Sequence, residues 1–354
     1  MVSNKIYFLI KINILIYLEL TSQEPSDGPI SLMNVLITGG AGFIGSHVAD
    51  HLLTMGCRVH VLDNFHTNYS REQKLRNIHQ SLGHPAYFLH EGDIRDAPYL
   101  THVFRQGQFD VVIHLAALPG VQASLQRPDV YADVNLNGTR TLLNAMHQSG
   151  VRKLIFGSSS SVYGDHPAMP LQEDCQHLFP ISPYALTKYK GEQLCRHYHQ
   201  QYGIESTCLR FFTVYGPRQR PDMAIYQFLE AIRQQHQLTL YGKGTSRDYT
   251  FVADIVQGIS KAMFRIDGFS IYNIGSGSYI SLRQLITLME DVTNQKARII
   301  QRPDRPGDVA HTWADLTRSK QKLAYQPTTS LSEGLQQMAD WLASRNAQAA
   351  LSRC

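Results

Sequence analysis

The 354-residue chain has no long run of Lys or Arg, and its 33 basic and 29 acidic side chains leave a net charge of only +4. Nucleic acid is therefore not an expected partner, because it would need a clustered basic face. Cysteine is sparse. Cys57, Cys175, Cys195, Cys208 and Cys354 are scattered, odd in number and form no C-x-x-C pair. That argues against a zinc site and a disulfide framework, and a reducing compartment, the cytoplasm, is the simple reading. The 16 histidines include no H-E-x-x-H pattern. His197 and His199, two residues apart, point to different helix faces and read as solvated surface, so no metal is expected. Residues Ile6 to Leu18 are apolar apart from Lys11 and Asn13. That run is shorter than the ~20 residues of a membrane span. No fixed-period repeat or low-complexity tract occurs. A composition of 43% hydrophobic and 18% charged residues excludes disorder and collagen-like repeats.

What the chain does have is alternation. Val35–Thr38, Arg58–Leu62, Tyr87–His90, Val111–Leu115, Lys153–Phe156 and Thr207–Arg210 are short apolar runs followed by turn residues, as strands are. Between them lie amphipathic stretches such as His47–Thr54, Tyr131–Gln148 and Tyr184–Tyr202. Strand–helix alternation predicts an α/β fold, a doubly wound parallel sheet covered on both faces. After about residue 213 the pattern loosens into loops rich in Pro, Gly and Arg, although Ile271–Ile274 reads as a further strand of the sheet. The expected division is an extension over 1–32, a cofactor domain over 33–212, a smaller interleaved substrate lobe over 213–345 and a tail over 346–354. Met33 stands directly before a strand and a glycine loop, so the fold is expected to begin there. Residues 1–32 then read as the product of an upstream start, with a tail or a targeting segment as alternatives.

That loop is Gly39-Gly40-Ala41-Gly42-Phe43-Ile44-Gly45, between a strand and a helix. This is the context of the Rossmann-type dinucleotide fingerprint, in which glycines let the backbone approach a pyrophosphate at a helix start. Asp63, followed by Asn64, ends the next strand eighteen residues beyond Gly45. A carboxylate there accepts from both ribose hydroxyls and repels a 2′-phosphate, which favours NAD over NADP. Asp93 and Ile94 end a later strand, placed to meet an adenine amino group and ring.

Tyr184 and Lys188 are four residues apart on one predicted helix face, behind a Ser182-Pro183 start. The spacing alone means little; Tyr7–Lys11 shows it too. Context distinguishes Tyr184: the strand Lys153–Phe156 runs into Gly157-Ser158-Ser159-Ser160-Ser161, hydroxyls at a strand's carboxyl end, where ligands of such folds bind. The Lys charge, with oxidised nicotinamide, would favour phenolate over a phenol whose free pKa is ~10, making Tyr184 a usable general base.

Thr38-Gly39-x-x-Gly42-x-x-Gly45, His114-Leu115-Ala116-Ala117, the serine run before Val162-Tyr163-Gly164, and Tyr184-x-x-x-Lys188 together resemble the extended short-chain dehydrogenase/reductase family over about residues 33–345. The resemblance implies Tyr184 as base, Lys188 on the nicotinamide ribose, Ser159 on the reacting sugar oxygen, and Leu115, Ala116, Ala117 and Asn135 around the cofactor. It also sorts reactions. Family dehydratases carry Asp-Glu after the catalytic hydroxyl, and decarboxylases carry Glu at the second position. Here stand Ser160 and Ser161, which implies epimerisation. Leu209–Pro217 with Arg220-Pro221-Asp222 is similar to UDP-glucuronate 4-epimerases, whereas galactose-type relatives have Asn at Thr213. One departure is Leu118-Pro119, where the glucuronate enzymes usually have Gln-Ala.

The resemblance implies a nucleotide-sugar substrate touched by Ser160, Thr213, Arg220, Arg247 and Arg305, and a homodimer. UDP-glucose and UDP-N-acetylglucosamine are alternative substrates. A dehydratase or decarboxylase, a keto-sugar reductase and a non-catalytic NAD-binding regulator are the competing readings.

Overall fold

A computed structural model describes residues 33–351 except 243 and 304, with the side chains of 346–351 left aside. The readings made for residues 1–32 and for the last three residues lie outside the described residues. The chain order is β1 (Asn34–Thr38), α1 (Phe43–Thr54), β2 (Arg58–Asp63), α2 (Arg71–Ile78), β3 (Tyr87–Glu91), α3 (Ala97–Gly107), β4 (Val111–His114), then the short α4 (Val121–Gln126) and α5 (Pro128–Ala132). A π turn at Asp133–Asn137 leads to α6 (Gly138–Ser149), β5 (Lys153–Ser159), α7 (Pro183–Tyr202) and β6 (Glu205–Phe211). Next come β7 (Thr213–Tyr215), α8 (Ala224–Arg233), β8 (Gln237–Tyr241), β9 (Ser246–Arg247), β10 (Tyr249–Phe251) and α9 (Val252–Met263). The chain ends with β11 (Phe269–Ile274), β12 (Ile280–Ser281), α10 (Leu282–Thr293), β13 (Arg298–Arg302), α11 (Thr317–Leu323) and α12 (Leu331–Leu351). The last helix runs past 346, where the tail was expected.

Seven strands form one parallel sheet in the order β11-β6-β5-β4-β1-β2-β3. The order reverses between β1 and β4, the switch point at which doubly wound sheets bind ligands. Side-chain alternation buries both faces. Val35 and Ile37 face one core with α1 and α9, and Leu36 faces the other with α3, α6 and α7. Ile271–Ile274 lies within β11, which pairs with β6 in register Ile271 to Cys208, so the chain returns to the main sheet after leaving it. The strand pairs β7–β10, β8–β13 and β9–β12 lie outside it. Among the described residues no helix is long and apolar enough to cross a membrane.

The helical stretch expected over Tyr131–Gln148 is broken into α5, the π turn and α6. One extra residue per turn re-aims Asn135 inward. Its side chain accepts from the Leu118 N–H at 2.7 Å and donates to the Leu118 carbonyl at 3.1 Å and to Thr187 Oγ1 at 3.0 Å. His114 is a structural residue: its two ring nitrogens meet Thr38 Oγ1 at 2.7 Å and Thr139 Oγ1 at 2.9 Å, and burial holds it neutral with a pKa of about 3.

Helix α7 starts as its sequence predicts. Ser182 accepts from the Ala185 N–H at 3.1 Å, Pro183 opens the first turn, and Gly203 closes the helix in the left-handed region. A buried ion pair fastens it to the sheet. Glu192 accepts from Arg210 Nε at 2.9 Å and NH2 at 2.8 Å, and from the Ser158 hydroxyl at 2.6 Å. Arg210 also stacks 4.7 Å from the Tyr163 ring centroid. Removing one partner of such a pair strands a buried charge at a cost of about 3–5 kcal/mol. Glu192→Ala should lose that much stability in urea unfolding, whereas changes on the solvated face of α7, such as Gln193→Ala, should stay within about 0.5 kcal/mol.

Candidate active site

The carboxyl ends of the central strands open onto a cleft of about 720 Å³. At one end lies the glycine loop. Gly39 has φ 73° and a Cβ there would stand 2.7 Å from the Ala116 nitrogen, so only glycine lets the β1 turn touch the end of β4. A Cβ on Gly45 would strike the Gly39 carbonyl. Gly42 caps α1 without any side-chain bond, so the helix presents its first N–H groups at the cleft wall formed by Gly42, Phe43, Ile44 and Gly45. An uncapped helix start is an anion site. Asp63 closes β2, where it accepts from the N–H of Ala41 at 3.2 Å and of Phe65 at 2.8 Å, and ion-pairs with buried Lys74 at 3.2 Å. A glycine loop at an uncapped helix start, followed by a carboxylate at the second strand, fits a dinucleotide.

The remaining cofactor candidates divide. Asn64, Ile94, Leu115, Ala116 and Ala117 line the cleft. Asp93 stands behind it: Arg95 grips its carboxylate at 2.7 and 2.9 Å, Asn64 donates to it at 2.8 Å, and these contacts hold its pKa at about 2. Asn135 likewise sits behind the wall, shaping the loop after Ala117 through Leu118. The Leu118-Pro119 departure is accommodated there, with Pro119 accepting from the Tyr131 hydroxyl at 2.7 Å.

At the reactive end, Ser159, Tyr184 and Lys188 line the same wall. Ser159 Oγ accepts from the Ser161 N–H at 3.2 Å and donates to the Ser161 hydroxyl at 3.1 Å. Tyr184 packs edge-on to Tyr131, with ring centroids 6.4 Å apart. Lys188 Nζ donates to the Gly157 carbonyl at 2.7 Å. Burial raises the Tyr184 pKa; the neighbouring Ser159 hydroxyl and the Arg220 charge pull it back. Burial also lowers Lys188 to about 8, against the opposing influence of Cys195 and Glu192. The sequence assigned the relief of Tyr184 to Lys188. In the chain by itself the groups that lower the phenol are Ser159 and Arg220.

Ser160, Thr213, Arg220 and Arg305 line the cleft as well. Arg220 offers one edge of its guanidinium to Asp222, from Nε at 2.9 Å and NH2 at 2.6 Å. Burial opposes its charge, and Asp222 outweighs burial, so its pKa is raised. Arg305 stacks 3.3 Å from the Tyr241 ring centroid. Arg247 is not brought to the cleft. Its guanidinium donates to the carbonyls of Ser246 and Ala310, each at 2.9 Å, and of Val309 at 2.5 Å.

Sequence reasoning missed Lys74, Tyr69 and Gln122. Lys74 lies eleven residues beyond Asp63 on the inner face of α2, a pairing that helix periodicity makes visible in retrospect. Tyr69 has a buried, unpartnered hydroxyl. It lines the cleft because the β2–α2 loop folds over Gly42, which no local pattern reveals. Gln122 donates to Pro306 at 2.9 Å and to Asp308 at 3.1 Å, tying α4 to the Arg305 loop across the cleft.

The fold and this site place the chain in a class. It belongs to the extended short-chain dehydrogenase/reductase family, and residues 36–338 match the family model described as GDP-mannose 4,6 dehydratase. A UDP-glucuronate 4-epimerase of Thermodesulfobacterium geofontis is 38% identical over 86% of this chain and 95% of its own. The crystal structure of the UDP-glucuronic acid 4-epimerase from Bacillus cereus, in complex with UDP-glucuronic acid and NAD, aligns at TM-score 0.84 and 35% identity over 88% of this chain and 100% of that one. The UDP-glucose 4-epimerase of Thermotoga maritima, with UDP-glucose, aligns at 0.82 and 33%, over 89% and 100%.

Lys188 makes stability depend on pH. Burial lowers its pKa from 10.5 to about 8, so the unfolded chain holds this proton more firmly than the folded one. Below pH 8 both states are charged and the folded state bears the whole burial cost; between 8 and 10.5 the folded lysine deprotonates first and the cost fades. NAD-stripped protein should therefore gain stability relative to Lys188→Met as pH rises through that window. Urea midpoints measured at both ends test this, and a flat difference would contradict the buried placement.

Proposed function

We propose that the protein is an isomerase, an NAD-dependent nucleotide-sugar 4-epimerase that interconverts UDP-glucuronate and UDP-galacturonate through a transient 4-keto sugar. One observation carries this reading. A single cleft wall holds Ser159, Tyr184, Lys188, Thr213 and Arg220, while the two positions after Ser159 are Ser160 and Ser161 and supply no carboxylic acid. The relatives named as UDP-glucuronate 4-epimerases and the neighbours crystallised with NAD support it.

NAD, held at the glycine loop and Asp63, supplies a reversible hydride acceptor for the sugar C4. Tyr184 removes the proton of the 4-hydroxyl as C4 is oxidised, with Ser159 holding the reacting oxygen. Lys188 orients the ribose beside Tyr184. The keto sugar then turns over in the cleft, and Tyr184 returns the proton after reduction on the other face. Arg305 faces the diphosphate of the substrate, with Arg247 bracing the 309–310 segment that follows the Arg305 loop. Ser160, Thr213 and Arg220 receive the sugar carboxylate, Arg220 through the N–H groups that Asp222 leaves free. A 4-keto uronate is a β-keto acid, and fixing its carboxylate restrains loss of CO2.

The division at residue 212 into a cofactor domain and a substrate lobe belongs to the same reading, as does a cytoplasmic homodimer joined through α6 and α7 and serving polysaccharide biosynthesis. The absence of Cys pairs in the sequence supports the compartment.

Incubation with UDP-glucuronate, UDP-glucose and UDP-N-acetylglucosamine, followed by product separation, should give a C4 epimer from the glucuronate with no net absorbance change from reduced nicotinamide. No epimer from any of the three would end the proposal, and steady consumption of free NAD would favour a reductase. Arg220→Ala should lower epimerisation on the order of 10- to 100-fold, the loss of a charged contact, and raise the decarboxylated product. Tyr184→Phe should keep NAD bound and lose turnover by about 100-fold or more.

A further inference from the structure

The arginine loop is mounted on the cofactor helix. Pro217 accepts at its carbonyl from His47 Nε2 at 3.0 Å, and His47 lies one turn into α1. Arg218 pairs with Asp50 at 2.7 Å, one turn further along the same helix. The other oxygen of Asp50 accepts from the Ser81 hydroxyl at 2.5 Å, which fixes its orientation. Gln219 accepts at its carbonyl from the Gln73 amide at 3.4 Å, from α2. Residues 217, 218 and 219 are thus each attached to the cofactor side, and Arg220 follows directly. Burial, and then the charge of Arg218, hold His47 neutral with a pKa of about 4, and the Pro217 carbonyl, which can only accept, selects its Nε2–H tautomer. Arg218 sits at φ 65°, a left-handed conformation that a residue other than glycine keeps only when its surroundings impose it.

We propose that His47 and Asp50 are positioning residues for acid-sugar selectivity: through Pro217 and Arg218 they set where Arg220 meets the substrate carboxylate. This rests on the reading of Arg220 as the carboxylate's partner. Helix α1 begins at Gly42, where the cofactor diphosphate is received, and Asp50 lies eight residues on, about 12 Å along a rigid rod. Hanging the arginine loop on that rod fixes the carboxylate contact relative to the cofactor, and so relative to the C4 that must face it. A guanidinium displaced from its fork geometry meets a carboxylate less well, which weakens substrate binding. The Arg218–Asp50 pair is mostly buried, at 18% and 32% exposure, so NAD content and inhibition by UDP are read beside KM to separate lost positioning from lost stability.

The test compares Asp50→Asn, Arg218→Gln and the charge-swapped double variant Asp50→Arg with Arg218→Asp, beside Arg220→Ala, as NAD-loaded full-length enzyme. Bound NAD and inhibition by UDP alone serve as controls, because neither uses the sugar carboxylate. Asp50→Asn and Arg218→Gln should raise KM for UDP-glucuronate roughly five- to tenfold and increase decarboxylated product, with kcat, NAD content and UDP inhibition near wild type. The charge swap should recover most of the KM. If Arg220→Ala raises KM and the Asp50 and Arg218 variants do not, the mount is refuted and the role of Arg220 stands. If Arg220→Ala leaves KM unchanged, the carboxylate reading falls and takes the mount with it. Equal losses in UDP inhibition, NAD content and KM would identify a purely structural role and also overturn the proposal.

Discussion

The bond between Glu192 and Arg210 fixes the register on which the site depends. Tyr184, Lys188 and Glu192 succeed one another at four-residue steps on one face of α7. The first two face the cleft, and the third is held by Arg210 of β6 and Ser158 of β5. Ser158 immediately precedes Ser159. A single buried carboxylate therefore sets both the height of the phenol and the position of the hydroxyl opposite it. Apolar packing alone would leave a long helix free to slide by fractions of a turn. A bidentate ion pair does not, because any slip leaves charges buried without partners.

Much of this was legible in the chain. Strand–helix alternation and the glycine loop define the doubly wound sheet, and the comparisons establish the family, the NAD-dependent chemistry and the epimerase class that the serine run indicated. These features are local: periodicity of two or 3.6, a turn needing glycine, a reactive pair one helical turn apart. What escaped depends on distance in sequence. Tyr69 reaches Gly42 only because a loop folds back, and Gln122 meets Pro306 and Asp308 from 184 and 186 residues away. Arg247 shows how a motif and its surroundings differ. Its motif suggests a ligand contact, yet three backbone carbonyls already occupy its guanidinium. A motif reports which residue stands at a position, whereas the competition for its donors is settled by tertiary structure.

Arg220 links selectivity to chemistry. Its charge lies near the Tyr184 phenol and draws that pKa down against burial. Asp222 already offsets part of the charge, and a sugar carboxylate would offset more. An acidic substrate thus weakens the pull on the phenol that its own oxidation requires. The neighbouring Ser159 hydroxyl also lowers the phenol, an influence that does not depend on the charge of the sugar. A neutral hexose would leave Arg220 less neutralised and the phenol more acidic, but nothing would hold its C6 end in place. On the proposed reading, selectivity for a uronate would come from orientation rather than from a stronger base. The attachment of residues 217, 218 and 219 to α1 and α2 is what would make such orientation possible: a guanidinium held from the cofactor helix would keep the carboxylate end of the proposed substrate at a fixed distance from the cofactor while the sugar ring turns.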